Sequence, residues 1–166
     1  MKLYVKQKLT FLKEKFAVTD EQGNEKYYVQ GEALSLGQKL HIYDLNNNEV
    51  GFIKEKLISF ESQFYIYICG HEVGMIKKKI TFFKPKYEVD YNGWRVEGDV
   101  MGWNYDVYEG NRVVATIRKK LMSWTDSYEV DIRQAEDELS ALILVLAIDA
   151  VKSKENSSGV SVNFSS

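Results

Sequence analysis

Over most of its length this chain alternates apolar with polar residues, and the alternation is cut repeatedly by short polar or glycine-bearing breaks. A period of two is what a strand with one buried face requires. Taking the breaks as turns predicts twelve strands, near residues 3–11, 15–20, 27–33, 38–44, 50–58, 63–69, 72–81, 86–92, 94–101, 103–109, 112–122 and 127–133. Short strands joined by tight turns point to an antiparallel sandwich or barrel.

Four segments of this pattern align without gaps: "VKQKLTFLKEKFAVTD" from Val5, "IKEKLISFESQFYIYI" from Ile53, "IKKKITFFKPKYEVDY" from Ile76 and "IRKKLMSWTDSYEVDI" from Ile117. Each opens on an aliphatic residue and places a second four positions on, at Leu9, Leu57, Ile80 and Leu121. A large apolar residue follows (Leu12, Phe60, Phe83, Trp124), then an aromatic (Phe16, Phe64, Tyr87, Tyr128) and a β-branched residue (Val18, Ile66, Val89, Val130). The first two apolar positions share one strand face, and the last two share a face in the opposite phase. A polar break with a change of phase predicts a hairpin turn, and Pro85 suits such a turn better than a central strand. Three copies carry a small residue just before the first strand's core, Gly51, Gly74 or Ala115, which suggests a bend or a close backbone approach. The copies are unevenly spaced, which excludes a solenoid.

One segment leaves this rhythm. "QAEDELSALILVLAIDAVKSK", from Gln134, predicts a helix near residues 135–151, with Glu136, Asp137 and Glu138 favouring its start and Lys152 and Lys154 its end. From Leu139 to Ile148 only Ser140 is polar, so the helix is apolar all round and must be buried or lie in a membrane. That stretch is about half of the roughly 20 residues a span needs. A twelve-stranded barrel is too wide for side chains alone to fill, and a central apolar helix would fill it. The expected architecture is therefore mainly β: a closed antiparallel barrel of about twelve strands around a central C-terminal helix. It occupies residues 1–152 as one domain, with 153–166 a polar tail that holds a possible short edge strand at 160–164.

The same residues resemble a known family. "GDVMGWNYDVYEGNRVVATIRKKLMSWTDSYEVDI", with its Gly98–Asp99 pair, and "DELSALILVLAIDAV" look like the LURP-one-related family of the tubby C-terminal-like group. The resemblance implies a twelve-stranded antiparallel barrel around a central helix. In the wider group it also brings to mind phosphoinositide binding by basic residues on the barrel wall, as in tubby proteins, and the phospholipid scramblases. The chain departs from the scramblases in having no cysteine cluster and no long terminal apolar span.

Charge enters through the repeat. Lys6, Lys54, Lys77 and Arg118 fill one slot, and Lys8, Lys56, Lys79 and Lys120 another two residues on. Both slots oppose the apolar phase, so the cations should form outward rows. Such rows can hold a phosphorylated headgroup, or they can be a solvated wall paired with acids across strands. The copy from Ile76 adds Lys78, Lys84 and Lys86, so the candidate ligand set is Lys77, Lys78, Lys79, Lys84, Lys86, Arg118 and Lys120. With 22 basic and 24 acidic residues, no overall positive field steers the chain to nucleic acid.

His71 in "CGHE" does not match zinc-ligand spacing and reads as a turn residue, and His41 is the only other histidine. No nucleophile elbow or phosphate-binding glycine loop occurs. The expected function is a non-enzymatic binding module without cofactor or metal, with an anionic phospholipid headgroup or a protein as partner. The other reading is a structural or protein-interaction module with no small ligand. A lone cysteine, Cys69, and an N-terminus without an apolar leader suggest the cytoplasm.

Overall fold

The computed structural model describes residues 1–6, 15–32, 35–79, 86–122 and 125–158. Twelve strands form, one for each predicted segment: β1 Lys2–Lys6, β2 Phe16–Thr19, β3 Glu25–Gly31, β4 Lys39–Tyr43, β5 Glu49–Glu55, β6 Gln63–Ile68, β7 His71–Lys79, β8 Lys86–Tyr91, β9 Trp94–Asp99, β10 Asn104–Glu109, β11 Arg112–Met122 and β12 Thr125–Ile132. A single 3-10 turn, Ala135–Asp137, leads into the helix α1, Glu138–Ser158. All ladders are antiparallel, and β1 closes onto β12, with Lys2 opposite Asp131 and Lys6 opposite Ser127.

The repeat sets the register. Val5 lies opposite Val18, Ile53 opposite Ile66, Ile76 opposite Val89 and Ile117 opposite Val130. Each copy is thus one hairpin with the same inward pair, and all eight are fully buried except Val89, which is half-buried. Apolar residues that recur in phase on both arms leave only one register that buries both faces.

The helix lies inside. Every residue from Ala141 to Ile148 is fully buried, as an all-apolar helix requires. The small-residue slot is explained by two different approaches. At Gly51 a Cβ would sit 2.6 Å from Ile143 Cδ1, so the wall makes room for the helix. At Gly74 it would sit 2.2 Å from the backbone oxygen of Asp90, so there the neighbouring strand comes too close.

Three expectations need correction. The barrel is nearly closed rather than closed: the hydrogen-bonded order runs from β8 round to β9, and these two, joined through Asn92 and Gly93, end the sheet. The rings flanking that turn, Tyr91 and Trp94, fill the wall edge-to-face at 5.6 Å. Second, residues 153–158 continue the helix instead of starting the tail. Lys152 Nζ donates to the Val100 and Met101 carbonyls at 2.9 and 3.1 Å, and Lys154 pairs with Glu55, so the last turns are tied to the barrel rim. Third, β5 stops at Glu55, and Leu57 and Phe60 stand in the loop after it rather than in the wall. Their counterparts Leu9, Leu12, Ile80 and Phe83, with Pro85, Trp124 and the segment 160–164, lie outside the described residues.

The two ends of the barrel differ. Connections from even to odd strands, such as 20–24, 44–48, 69–70 and 92–93, are short and sit at one end. The connection 56–62, within the copy from Ile53, sits at the other, the long-hairpin end. The helix starts at the short-turn end, where Arg112 holds Asp137 at 2.6 Å and the Tyr27 hydroxyl donates to Glu138 at 2.8 Å. It finishes at the long-hairpin end.

Candidate functional site

The strand parity sends the repeat's cations outward, and the structure shows what they meet. Lys77 pairs with Glu61 at 2.7 Å, and that hydrogen bond raises the lysine's pKa. Lys79 pairs with Glu88. Arg118 reaches Asp106 at 3.1 Å and also donates to the carbonyls of Tyr105 and Ile117. Lys120 and Lys2 both grip Glu129 at 3.0 Å, and the Tyr4 hydroxyl donates to the same carboxylate at 3.1 Å. Burial pushes Glu129 up, but the hydrogen bonds from Lys120, Lys2 and Tyr4 outweigh it and hold the carboxyl below its usual range. Cross-strand pairing of this kind stabilises a sheet surface without selecting a ligand.

Nor do the candidate residues converge. Lys77 and Lys79 line β7, whereas Arg118 and Lys120 line β11, four strand positions away across the β8/β9 seam. At ~4.8 Å per strand that is roughly 19 Å. Lys78 shares the inward face with Ile76, and burial lowers its pKa. Lys86 is exposed on β8, opposite Lys79 in the ladder. Lys84 lies outside the described residues. A surface groove of about 490 Å³ adjoins Lys77, but Glu88 and Asp90 line it too, with Met75 and Val89. The groove is therefore not a cationic pocket.

Two members of the rows stand apart. Lys54 and Lys56, in the copy from Ile53, are exposed, and no ion pair engages either among the described residues. They belong to the predicted rows but not to the predicted site, because nothing in their sequence environment separates them from the paired lysines. Whether a carboxylate comes within reach depends on how the loops fold.

A second constellation, inside the barrel near the end of α1, escaped the sequence reading. Asp149 is 4% exposed and Lys152 7%, and Tyr105 and Tyr128 are fully enclosed. Trp103 stacks on Tyr128 with ring centroids 4.0 Å apart, and Lys152 Nζ lies 3.5 Å over the Trp103 ring. Burial pushes Asp149 up to about 7, against the pull of Lys152, and lowers Lys152 to about 8. The tyrosines rise well above their ordinary value, from burial first and from Asp149 second. Asp149 Oδ2 and both tyrosine hydroxyls make no hydrogen bond among the described residues. Such a cluster can hold or release a proton near neutral pH. The sequence signal is Asp149, a carboxylate that follows directly on the eight apolar residues 141–148.

The histidines do other work. His41 is held between Glu49 at 2.6 Å and Glu32 at 2.9 Å on the outer wall, while His71 is exposed where β7 begins. No group of three metal-ligating side chains occurs among the described residues, and no helix there is long and apolar enough to cross a membrane.

Comparison with known proteins fits this architecture. An X-ray structure of a protein from Arabidopsis thaliana superposes with a TM-score of 0.61, covering 89% of each chain at 18% identity, and so shares the fold. An uncharacterised Bacillus subtilis (strain 168) protein, YxjI, is 30% identical over 151 residues, which is 91% of this chain and 93% of that one. The LURP-one-related family model matches residues 1–149. With a barrel of this order around a buried helix and a match over nearly the whole chain, the protein belongs to the LURP-one-related family.

Proposed function

We propose that this barrel is a non-enzymatic binding module whose ligands are anionic phospholipid headgroups. One observation carries the reading. Lys54, Lys56 and Lys86 are exposed outward cations without a carboxylate partner among the described residues, whereas Lys77, Lys79, Arg118 and Lys120 each have one. An unpaired ammonium accepts a phosphate without first giving up an ion pair. Anionic lipids face the cytoplasm, so this reading goes with a cytoplasmic location and peripheral contact.

Co-sedimentation with phosphatidylcholine vesicles, with and without phosphatidylserine or a phosphoinositide, tests it at physiological salt. Binding should require the anionic lipid and should fall in Lys54→Gln/Lys56→Gln/Lys86→Gln. It should fall less in Lys77→Gln/Lys79→Gln/Arg118→Gln/Lys120→Gln. Failure of the wild-type protein to sediment with any anionic vesicle sinks the proposal.

The second reading, a protein-interaction module, draws on the β8 and β9 edges that end the sheet. An unpaired edge is a template for an added strand. Concentration-dependent mass in solution supports that reading, and a strict monomer with no captured partner counts against it.

A further inference from the structure

Four large apolar side chains stand exposed at the long-hairpin end. Phe60 and Ile58 are 108% and 91% exposed, Leu36 83% and Leu57 55%. Single exposed apolar residues need no explanation, but several together at one place mark an interaction surface.

The backbone that carries them is tied down at its base. Lys56 N–H donates to the Gln63 carbonyl at 2.9 Å and closes the base of the loop 57–62. Lys78 N–H donates to the Ser62 carbonyl at 3.0 Å and ties the loop to β7. The neighbouring 35–38 loop leans on it: Gln38 N–H donates to Glu55 Oε2 at 2.8 Å, and a Cβ at Gly37 would meet Leu57 Cδ2 at 2.5 Å. Gly37, the chain neighbour of Leu36, thus abuts Leu57. The one acid within the loop, Glu61, is turned to Lys77 at 2.7 Å. What remains next to the apolar tip is the pair Lys54 and Lys56, which no carboxylate engages among the described residues.

Their order along the chain matches a bilayer surface. Lys56 is two residues and Lys54 four residues below Ile58, at most about 7 and 14 Å of extended chain. Interfacial apolar elements sink ~5–10 Å into the headgroup and acyl boundary. With Phe60 and Ile58 at that depth, both ammonium groups lie at the level of the phosphates. Phe60 and Ile58 keep almost no contact with the rest of the protein, which suits insertion into a fluid surface. We infer that the loop between β5 and β6 is a membrane-inserting tip: Leu57, Ile58 and Phe60, with Leu36 from the 35–38 loop, enter an anionic bilayer while Lys54 and Lys56 bind its headgroups. This rests on the headgroup reading above and adds to it a place and an orientation.

The test uses the whole protein with vesicles of phosphatidylcholine and phosphatidylserine. Ile58→Ser/Phe60→Ser should weaken vesicle binding about tenfold or more without changing the unfolding temperature. In a Cys69→Ser background, an environment-sensitive dye on Phe60→Cys should shift to the blue when these vesicles are added. The same dye on Val73→Cys, at the short-turn end, should not shift. If the wild type binds anionic vesicles but Ile58→Ser/Phe60→Ser binds them equally and the dye at position 60 does not move, the tip is wrong and the headgroup reading stands. If the wild type binds no anionic vesicle, both fall. A blue shift at position 60 that grows with protein concentration in the absence of vesicles assigns the patch to a contact between copies and overturns the bilayer assignment.

Discussion

At the short-turn end the chain satisfies itself. Asp20 accepts the backbone N–H of Gln22 and of Asn24 at 2.9 Å and the Asn24 side-chain amide at 3.0 Å. Asp44 does the same with Asn46 and Asn48 at 2.8–2.9 Å. "DEQGN" and "DLNNN" are thus one loop used twice, with Gly23 and Asn47 at the left-handed position, φ +84° and +63°. The side-chain amides of Asn24 and Asn48, first among several donors, hold the two carboxylates below their usual range. At the long-hairpin end the described loop 57–62 is also tied by backbone hydrogen bonds, but Ile58 and Phe60 face water, two lysines are exposed beside them and the Asp149 carboxylate is buried behind. The difference is that the 20–24 and 44–48 turns satisfy their own polar groups, whereas the 57–62 loop leaves large apolar side chains uncovered.

The helix joins both ends, so the largest effect comes from its middle. Leu144→Asp puts an unpaired charge where exposure is zero. The expected outcome is loss of folding, with no cooperative transition by circular dichroism. A protein that still unfolds cooperatively would show that the helix is not the shared core.

Asp149→Asn sharpens the contrast from the long-hairpin end. Burial raises the folded-state pKa of Asp149 to about 7, above its unfolded value. The protonated form is therefore favoured in the fold, and stability falls as pH rises from about 4 to about 7, then levels off. The substitution removes that slope. Its thermal stability should match the wild type near pH 4 and exceed it at pH 8 by a few kcal/mol. The opposite sign, or a pH-independent change, would show that the carboxylate is paired. Lys152, lowered to about 8, contributes the reverse slope only above that pH.

The smallest effects compare the ends directly. Asp44→Ala removes three hydrogen bonds and should cost about 1–2 kcal/mol in urea denaturation. Phe60→Ser removes a much larger side chain from a fully exposed site and should stay within about 0.5 kcal/mol. A large loss for Phe60→Ser would mean that the loop packs inward and would undo the comparison.

Much of the fold was legible because it is written in parity. Val5, Ile53, Ile76 and Ile117 had to face inward, and their partners fourteen positions into each copy's pattern followed from the phase. The helix was legible because twelve strands and a ten-residue stretch with Ser140 as its one polar member each need the other. What parity could not supply was where a strand stops. Leu57 continues the phase of Ile53 perfectly, yet β5 ends at Glu55. A hydrophobic letter says that a side chain avoids water in one conformation, not that the strand extends to provide it. Closure at β8 and β9 depends on hydrogen-bond geometry around Asn92 and Gly93, which no pattern encodes. The cation rows were legible as rows, but their pairing was not, because Glu61 and Asp106 come from other elements.

The ladder between β1 and β12 has a consequence for how the molecule is made. Lys2 rests against Asp131, and the Met1 amino group donates to the Ile132 carbonyl at 2.9 Å. On a ribosome adding roughly 5–20 residues per second, the first strand waits on the order of ten seconds for its partner. The plug around which the wall must wrap, α1, is translated later still. Strands emerging early can pair in hairpins, but an unfilled wall has nothing to close on. During that interval every inward face is a sticky surface, and a chaperone that shields nascent strands should raise the yield of this protein more than one that acts after release.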